Sequence, residues 1–357
     1  MTFARIDFPE SLSNKELDQY LELGWFRMGQ AIFTTNFLNF RDQHYNAVWL
    51  RVSLENFSVD RTFLRLSKLN AGFKKEIKEA ELTAGKERLF KKYKGQTNFQ
   101  AATSLKQLMY GKSDRQIFTT YEINIYDKDE LIATGFFDLG GSSVAGITCF
   151  YDPAYRKYSL GKYLIYLKME YCRKKGFRFF YPGYFVPGYN FFDYKLSIGK
   201  PALQFLELGT SQWKRMEEFS FDNSPLKFME QRLQKLKDLL IPLDIKSWIL
   251  TYEFFDANLI PELQGAELFD YPLFMVFSEN QDESTNHLIV YDIRESAYCL
   301  VLCRGVWKVG TSKSHEKLFS AQILKEIHSH RIAFDAADVA QWILERKSSF
   351  VRAREKS

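Results

Sequence analysis

Tyr194 and Lys195 stand together behind a run of aromatic residues, Phe191 and Phe192 among them. A lysine ammonium at the mouth of a pocket could hold a carboxylate or an ester oxygen. A tyrosine hydroxyl beside it could hydrogen-bond a developing tetrahedral centre. A second constellation is Ser159-Leu160-Gly161 with Tyr163, at the start of an amphipathic segment. Leu160, Tyr163, Leu164, Leu167 and Tyr171 keep i, i+3, i+4 spacing, so this segment is a helix with one buried face. Ser159 is placed to cap it, and Gly161 leaves its first turn open to a close ligand. A helix N-terminus that follows a strand offers free N–H groups to anions and carbonyl oxygens. A third candidate is Asp138, which ends the apolar run from Ile132 just before Gly140-Gly141. An acid there could hold an incoming α-ammonium and take its proton. Each residue also has a plain structural reading: Lys195 reaching solvent, Asp138 and Asp152 forming turns.

Other chemistries find no foothold. There is no Gly-x-Ser-x-Gly, no P-loop and no dinucleotide fingerprint. His44, His287 and His315 stand alone, and His328 and His330 are expected to point opposite ways. The four cysteines, Cys149, Cys172, Cys299 and Cys303, form no Cys-x-x-Cys pair, and neither Cys149 nor Cys172 has a histidine nearby in sequence. Thiolate ligation needs several cysteines converging on one centre, so no metal or cluster is expected. Scattered cysteines also argue against a disulfide framework and for a reducing compartment. No apolar run approaches the ~20 residues that span a bilayer, and no signal-peptide core is visible. The expected setting is cytoplasmic, with no membrane.

These candidate groups need a scaffold. Alternation predicts antiparallel strands at 118–126, 130–139 and 144–151, then the helix at 159–175 and a strand at 178–185. That order resembles an acetyltransferase-type (GNAT-type) core, whose splayed mixed sheet receives an acyl donor in its gap. An N-terminal α/β region (1–110) precedes this core (111–214), and an α+β appendage of unassigned role (215–357) follows. The fold class is therefore α+β. In the first region, strands near 31–33 and 47–54 lead to helices from about Asp60, over 82–94 and over 98–110. In the appendage, a helix starts at Ser224-Pro225 and ends at Pro242. Strands follow at 274–277, 287–291, 297–303 and 306–309, and a closing helix pair spans 318–328 and 336–345. No internal repeat or low-complexity stretch interrupts the chain.

The formal net charge of +5 conceals an asymmetry. Residues 61–115 carry 14 Lys/Arg against 5 Asp/Glu, and residues 156–178 carry 8 against 1. The two windows are +9 and +7, which leaves −11 for the rest of the chain. Lys74, Lys75, Lys78, Lys91, Lys92 and Lys94 could simply be solvated helix faces. Interleaved with Tyr93, Phe99 and Tyr110, they also suit a nucleic-acid phosphate surface.

Four short motifs carry a family resemblance: Phe150-Tyr151-Asp152-Pro153; Ser159-Leu160-Gly161 with Tyr163; Tyr181-x-Gly183-Tyr184; and Tyr194-Lys195. In order and spacing they resemble the C-terminal half of aminoacyl-tRNA–protein transferases of the arginyl and leucyl type. Upstream, Gly24 to Gly29 with Ile32-Phe33 is similar to the family's first strand, and 52–70, with Phe57, Arg61, Arg65 and Asn70, to its basic segment. The resemblance covers roughly residues 20–207. One departure stands out: where the family carries clustered cysteines after Ile32-Phe33, this chain has Thr34 to Phe40. What that cluster supplies must here be absent or replaced by packing.

The resemblance implies transfer of arginine or leucine from charged tRNA to the N-terminal amine of an acceptor protein, with an acidic first residue favoured. The donor ester is already activated, so orientation, deprotonation and oxyanion stabilisation suffice, and no cofactor is required. Ser159, Leu160, Gly161 and Tyr163 would border the donor. Tyr184 is counted with them while also bordering the acceptor side, where Tyr194, Lys195 and Asp138 would act. Arg61, Arg65, Lys74, Lys75, Lys91 and Lys92 would meet the tRNA. Two rival readings keep the fold. One is a coenzyme A-dependent N-acetyltransferase, disfavoured because Tyr158 and Tyr163 replace the usual residues of the pyrophosphate loop and Tyr163 should crowd it. The other is a non-catalytic module that binds tRNA or protein.

Overall fold

The computed structural model describes residues 2–40, 43–96, 102–222, 224–277, 285–309 and 317–354. Its centre is an eight-stranded mixed sheet. In spatial order the strands are Gln212–Arg215, Leu203–Glu207, Val48–Ser53, Phe179–Phe185, Ser143–Tyr151, Glu130–Leu139, Thr120–Asp127 and Lys74–Glu79. All neighbours are antiparallel except Ser143–Tyr151 and Phe179–Phe185, which run parallel. The helices Arg61–Leu69 and Leu160–Lys174 cover one face, over a core that includes Phe63, Ile123, Phe137, Leu164 and Phe180. Ala84–Lys94 and Leu105–Tyr110 cover the other, around Phe90, Phe136 and Phe150.

The parallel pair is where the sheet opens. Its two strands are joined only through Ser143–Ala145 and Phe179–Tyr181. Beyond that point both ladders are irregular. The pairing of Ser143–Tyr151 with its other neighbour shifts register between Gly146 and Thr148. The pairing of Phe179–Phe185 with Val48–Ser53 shifts between Phe180 and Gly183. The sequence supplies the cause. Pro182 has no N–H to give a ladder, and Gly183 sits at φ +82°, a conformation that side chains with a Cβ resist. Bulges bend a strand and end its pairing, so the two strands part into a V. The acetyltransferase-type splay is thus written in Tyr181-Pro182-Gly183-Tyr184.

Two smaller units flank this sheet. Ala4–Asp7, Ala31–Thr35 and Phe26–Met28 form a three-stranded sheet, and Phe37–Phe40 pairs with Gln43–Asn46 as a hairpin. The hairpin occupies the stretch that lacks thiol ligands; Thr34 and Thr35 hydroxyls bond backbone carbonyls there instead. The appendage is a six-stranded sheet backed by helices Pro225–Leu240 and Ala336–Arg354. The organisation is more interleaved than a division at residue 111 implies. The central sheet takes Val48–Ser53 and Lys74–Glu79 from before it, and Phe3 and Phe37 sit in the appendage core. No helix among the described residues is long and apolar enough to cross a membrane.

Several expectations need correction. Residues 74–79 are an edge strand, not a helix face. Within 98–110 only Leu105–Tyr110 is helical, and 97–101 lie outside the described residues. Val306 continues the strand Ala297–Lys308 rather than starting another. The expected helix at 318–328 is instead mostly strand Gln322–Ala333, paired along Ala297–Lys308 with three register shifts. Each bulge resets the in–out alternation, which erases the period-two pattern that would have marked a strand. On that strand His328 and His330 share a face, their rings 5.7 Å apart.

Candidate functional site

The helix Leu160–Lys174 begins after a short turn, Pro153–Tyr158, that leaves the end of strand Ser143–Tyr151. Asp152 anchors this turn by accepting the Ala154 N–H and pairing with Lys92. Ser159 does not cap the helix. It adopts a left-handed conformation (φ 52°, ψ 42°), and its side chain accepts no N–H. Its carbonyl accepts the Tyr163 N–H at 3.0 Å, while the N–H groups of Leu160, Gly161 and Lys162 have no partner among the described residues. Asn70 holds the turn from the outside. Its amide Nδ2 donates to Tyr158 O at 3.1 Å and to Leu66 O at 2.8 Å. Its Oδ1 is buried without a partner among the described residues. The bare helix end is therefore a property of backbone geometry, with Asn70 as its support.

Gly161 faces Tyr151: a Cβ there would lie 3.3 Å from the Tyr151 ring. Leu160 and Tyr163, expected at the donor, turn their side chains into the core, where the Tyr163 ring lies 6.3 Å from Phe63. Only their backbone borders the gap. This removes the argument that Tyr163 would crowd a pyrophosphate, because its ring points away.

The short helix Asn190–Ser197 closes the other side. Lys162 Nζ donates to Ser197 Oγ at 2.8 Å, and Ser197 Oγ donates to Tyr194 O at 2.6 Å. The structure thus brings the 159–162 and 194–195 elements together. The Tyr194 side chain is exposed. Desolvation, then Cys149 and Tyr93, raise its hydroxyl pKa. Lys195 is 8% exposed, and its ammonium donates to Tyr184 O at 2.6 Å. Its other neighbours are the rings of Tyr184 (5.5 Å) and Phe192 (5.2 Å). A Cβ on Gly183 would stand 3.3 Å from that ammonium. Burial lowers the Lys195 pKa to about 7. A buried cation without a carboxylate is costly unless something arrives to pair with it.

Against this geometry, the comparisons with known proteins are informative. Residues 85–204 match the family model described as arginine-tRNA-protein transferase, C terminus. Over those residues the chain is similar to the aminoacyl-tRNA–protein transferase family. An aspartate/glutamate leucyltransferase of Leptospira interrogans is 27% identical over 224 residues, which are 59% of this chain and 83% of that protein. One of Campylobacter jejuni is 25% identical over 199 residues, 54% and 82% of the two chains. A solved GCN5-related N-acetyltransferase from Kribbella flavida aligns with 38% of this chain and 46% of its own, with TM-score 0.25 and 12% identity. The acetyltransferase-like description rests on the sheet order and splay above, not on that partial likeness.

Asp138 occupies a different setting from Lys195. It is wholly buried, its Oδ1 bonded to Arg27 Nη1 at 2.8 Å and Thr120 Oγ1 at 2.6 Å. Its Oδ2 has no partner among the described residues. Burial raises its pKa, and Arg27 opposes that rise. Arg27, one residue beyond Phe26, also donates to the carbonyls of Gly29 and Met109 and lies over the Phe118 ring. Nothing in the described contacts joins Asp138 to Lys195 or to the helix end.

Sequence reasoning missed Lys168. It lies on the buried face, where the helical spacing had placed Leu167, and is 1% exposed. Its ammonium donates to Phe136 O (2.7 Å), Thr148 O (2.9 Å) and Cys149 Sγ (3.2 Å). It thereby pins the strand at the bulge where the splay starts. An ionisable residue on an apolar helical stripe was the available signal. Cys172, one turn on, is inert, burial pushing its thiol up to about 12. Among the described residues no three His, Cys, Asp or Glu side chains gather in a metal-binding group.

The basic residues divide. Arg61, Arg65, Lys74, Lys75 and Lys91 are exposed, and the Lys75 ammonium lies 5.7 Å from the Tyr163 ring in the first helical turn. Lys92 is engaged with Asp152 and serves the turn. Replacing Lys74, Lys75 and Lys91 with glutamate, with Lys92 left intact, is expected to weaken all tRNAs alike and flatten the salt dependence of binding. Filter binding across a salt series checks this; an unchanged slope would place the phosphates elsewhere.

Proposed function

We propose that this chain transfers leucine from charged tRNA to the N-terminal α-amine of proteins that begin with an acidic residue. The carrying observation is the Lys195 ammonium, buried beside the splay with no carboxylate partner among the described residues, across a Ser197 bridge from a bare helix N-terminus. The acceptor's acidic side chain supplies the missing counter-charge. The free N–H groups of Leu160, Gly161 and Lys162 receive the donor's terminal phosphate or ester oxygen. Leucine is favoured over arginine by the uncharged groups near the gap, Tyr93, Cys149, Tyr151 and Tyr194. Asp152 is already committed to Lys92 and the Ala154 N–H. A guanidinium would call for a free carboxylate. The relatives named aspartate/glutamate leucyltransferases support the same choice.

The reaction breaks the ester C–O bond to the tRNA ribose and forms an amide C–N bond. The amine's proton leaves as the ribose hydroxyl is reprotonated, and no further reactant is needed. Incubation with leucyl- or arginyl-tRNA and peptides beginning with Asp, Glu, Lys or Arg should add the mass of leucine, and to the acidic peptides far faster than to the basic ones. Arginine addition would change the donor. Binding of tRNA without any addition would leave a non-catalytic module, and acetyl addition from acetyl-coenzyme A would restore the N-acetyltransferase reading.

A further inference from the structure

Residues 215–357 have no place in the scheme above, yet they reach the candidate acceptor side through a line of buried and half-buried contacts. The line starts at Asp270, whose Oδ2 accepts the backbone N–H groups of Phe3 and Ala4, the latter at 3.3 Å. The Phe3 ring is fully buried, 5.0 Å from Tyr271 and 3.9 Å beneath the Arg294 guanidinium, which is itself paired with Asp292. Phe3 packs edge-on against Phe37 at 5.2 Å, and Phe37 against Phe255 of the appendage at 6.4 Å. His44, across the hairpin, meets Phe255 at 4.9 Å, and burial lowers its pKa to about 4, so it packs as a neutral ring. Both strands of the hairpin therefore rest on one appendage side chain.

The far end of the hairpin leads on to the site. Phe40 stacks on Tyr189 at 5.3 Å, and Tyr45 meets the same ring at 5.9 Å. Tyr189 precedes the short helix bearing Tyr194 and Lys195 and contacts Phe192 at 6.1 Å. Phe192 is one of the two rings that box the Lys195 ammonium. Aromatic edge and stacking contacts of this kind are directional, so displacing one ring re-aims the next. The turn at 186–189 carries Pro187 and Gly188 (φ +82°) and is closed by the Tyr189 N–H, which donates to Val186 O at 3.0 Å. Its geometry also depends on what Tyr189 leans against.

We propose that the appendage is the support of the acceptor wall. Phe255 and Asp270 fix the hairpin Phe37–Asn46, and the hairpin, through Phe40 and Tyr45, holds Tyr189 so that Lys195 is presented to the acceptor. These are positioning residues; none touches a reacting group. The proposal rests on the aminoacyl-transfer reading for its kinetic arm, and has a second arm that does not.

The test uses the full chain with Phe255→Leu, Asp270→Asn and, separately, Phe40→Ala, which cuts the link at the site end and leaves the appendage untouched. Hydrogen exchange at 37–46 and 189–197 is read by mass spectrometry, and KM for an Asp-initial peptide and for charged tRNA is read by transfer. Phe255→Leu with Asp270→Asn should speed exchange in both segments. Phe40→Ala should speed it at 189–197 and leave the appendage strands protected. Each should raise the acceptor KM about five- to tenfold, with kcat and the tRNA KM within twofold of the parent. Unchanged exchange at 189–197 in Phe40→Ala overturns the support whether or not the protein transfers anything. Faster exchange with an unchanged acceptor KM in an active enzyme overturns it as well. A protein that never transfers while exchange behaves as stated refutes the proposed function and leaves the mechanical support standing.

Discussion

Lys195→Met is expected to leave the protein at least as stable as its parent while it loses use of acidic acceptors. Two opposing effects set the stability. The ammonium is buried without a carboxylate partner among the described residues, and burial brings its pKa from 10.5 to about 7. Its ionised form therefore opposes folding at neutral pH, each tenfold loss of proton affinity corresponding to about 1.4 kcal/mol. Methionine keeps the stem's packing and removes that penalty. Against this, Tyr184 O loses its donor, which costs about 1–3 kcal/mol. The balance is near zero or stabilising, the pattern of a residue kept for function rather than for folding.

The sign of the parent's pH dependence follows from the same lowered pKa. Between about 7 and 10.5 the unfolded chain holds a proton that the folded chain lacks, so this group makes stability rise with pH in that window. In Lys195→Met that rise should vanish. Activity runs the other way: Lys195 binds a carboxylate only when protonated, so preference for acidic acceptors should fall as pH climbs through about 7. Taking the ratio of kcat/KM for Asp-initial over Lys-initial peptides cancels the titration of the acceptor amine itself. The ratio should drop about 5- to 150-fold in Lys195→Met, the loss of a charged contact worth about 1–3 kcal/mol. A less stable variant with an unaltered ratio would make Lys195 a structural residue.

How far the sequence disclosed this site depends on which kind of feature carried it. The splay was expected only from an element order that resembles an acetyltransferase-type core; its local cause, Pro182 without a donor and Gly183 with a left-handed φ, emerged from the structure. The helix Leu160–Lys174 was legible from its stripe, but the fine assignment of its first turn was not. Ser159 reads as a cap by residue type and is left-handed in the fold, because the Pro153–Tyr158 turn and Asn70 dictate its backbone. Leu160 and Tyr163 belong to a matching motif yet point into the core, since motif identity says nothing about which side of a helix meets a ligand. Asp138 and Lys168 show the remaining limit. Their partners lie far along the chain, Arg27 for one and Phe136 for the other, and only the closed sheet reveals that both are engaged. The appendage strand Gln322–Ala333 was hidden for a related reason, its alternation broken by bulges whose positions only the partner strand defines.

A substitution at Gly161 separates helix stability from donor binding. Alanine suits a helix better than glycine, by up to about 1 kcal/mol, so Gly161→Ala should hold or raise the melting temperature. Its Cβ would stand 3.3 Å from the Tyr151 ring, tight enough to push that ring by a few tenths of an ångström. Tyr151 in turn lies 5.2 Å from Tyr93, so the displacement is passed to the side of the gap where the donor is proposed to lie. Gly161→Val adds two methyl groups on the same side and covers the N–H groups of the first turn. The expected result is a graded rise in KM for charged tRNA, severalfold in Gly161→Ala and more than tenfold in Gly161→Val. Acceptor KM should be unaltered in both. Uncharged tRNA should bind as in the parent, because its phosphate contacts are proposed to lie on the Arg61, Lys74 and Lys91 surfaces. The comparison is decisive because its two halves have opposite signs: stability holds or improves in Gly161→Ala while the donor step weakens. Normal donor KM in Gly161→Val would mean that the aminoacyl end lies elsewhere and that the bare helix N-terminus is only a structural turn.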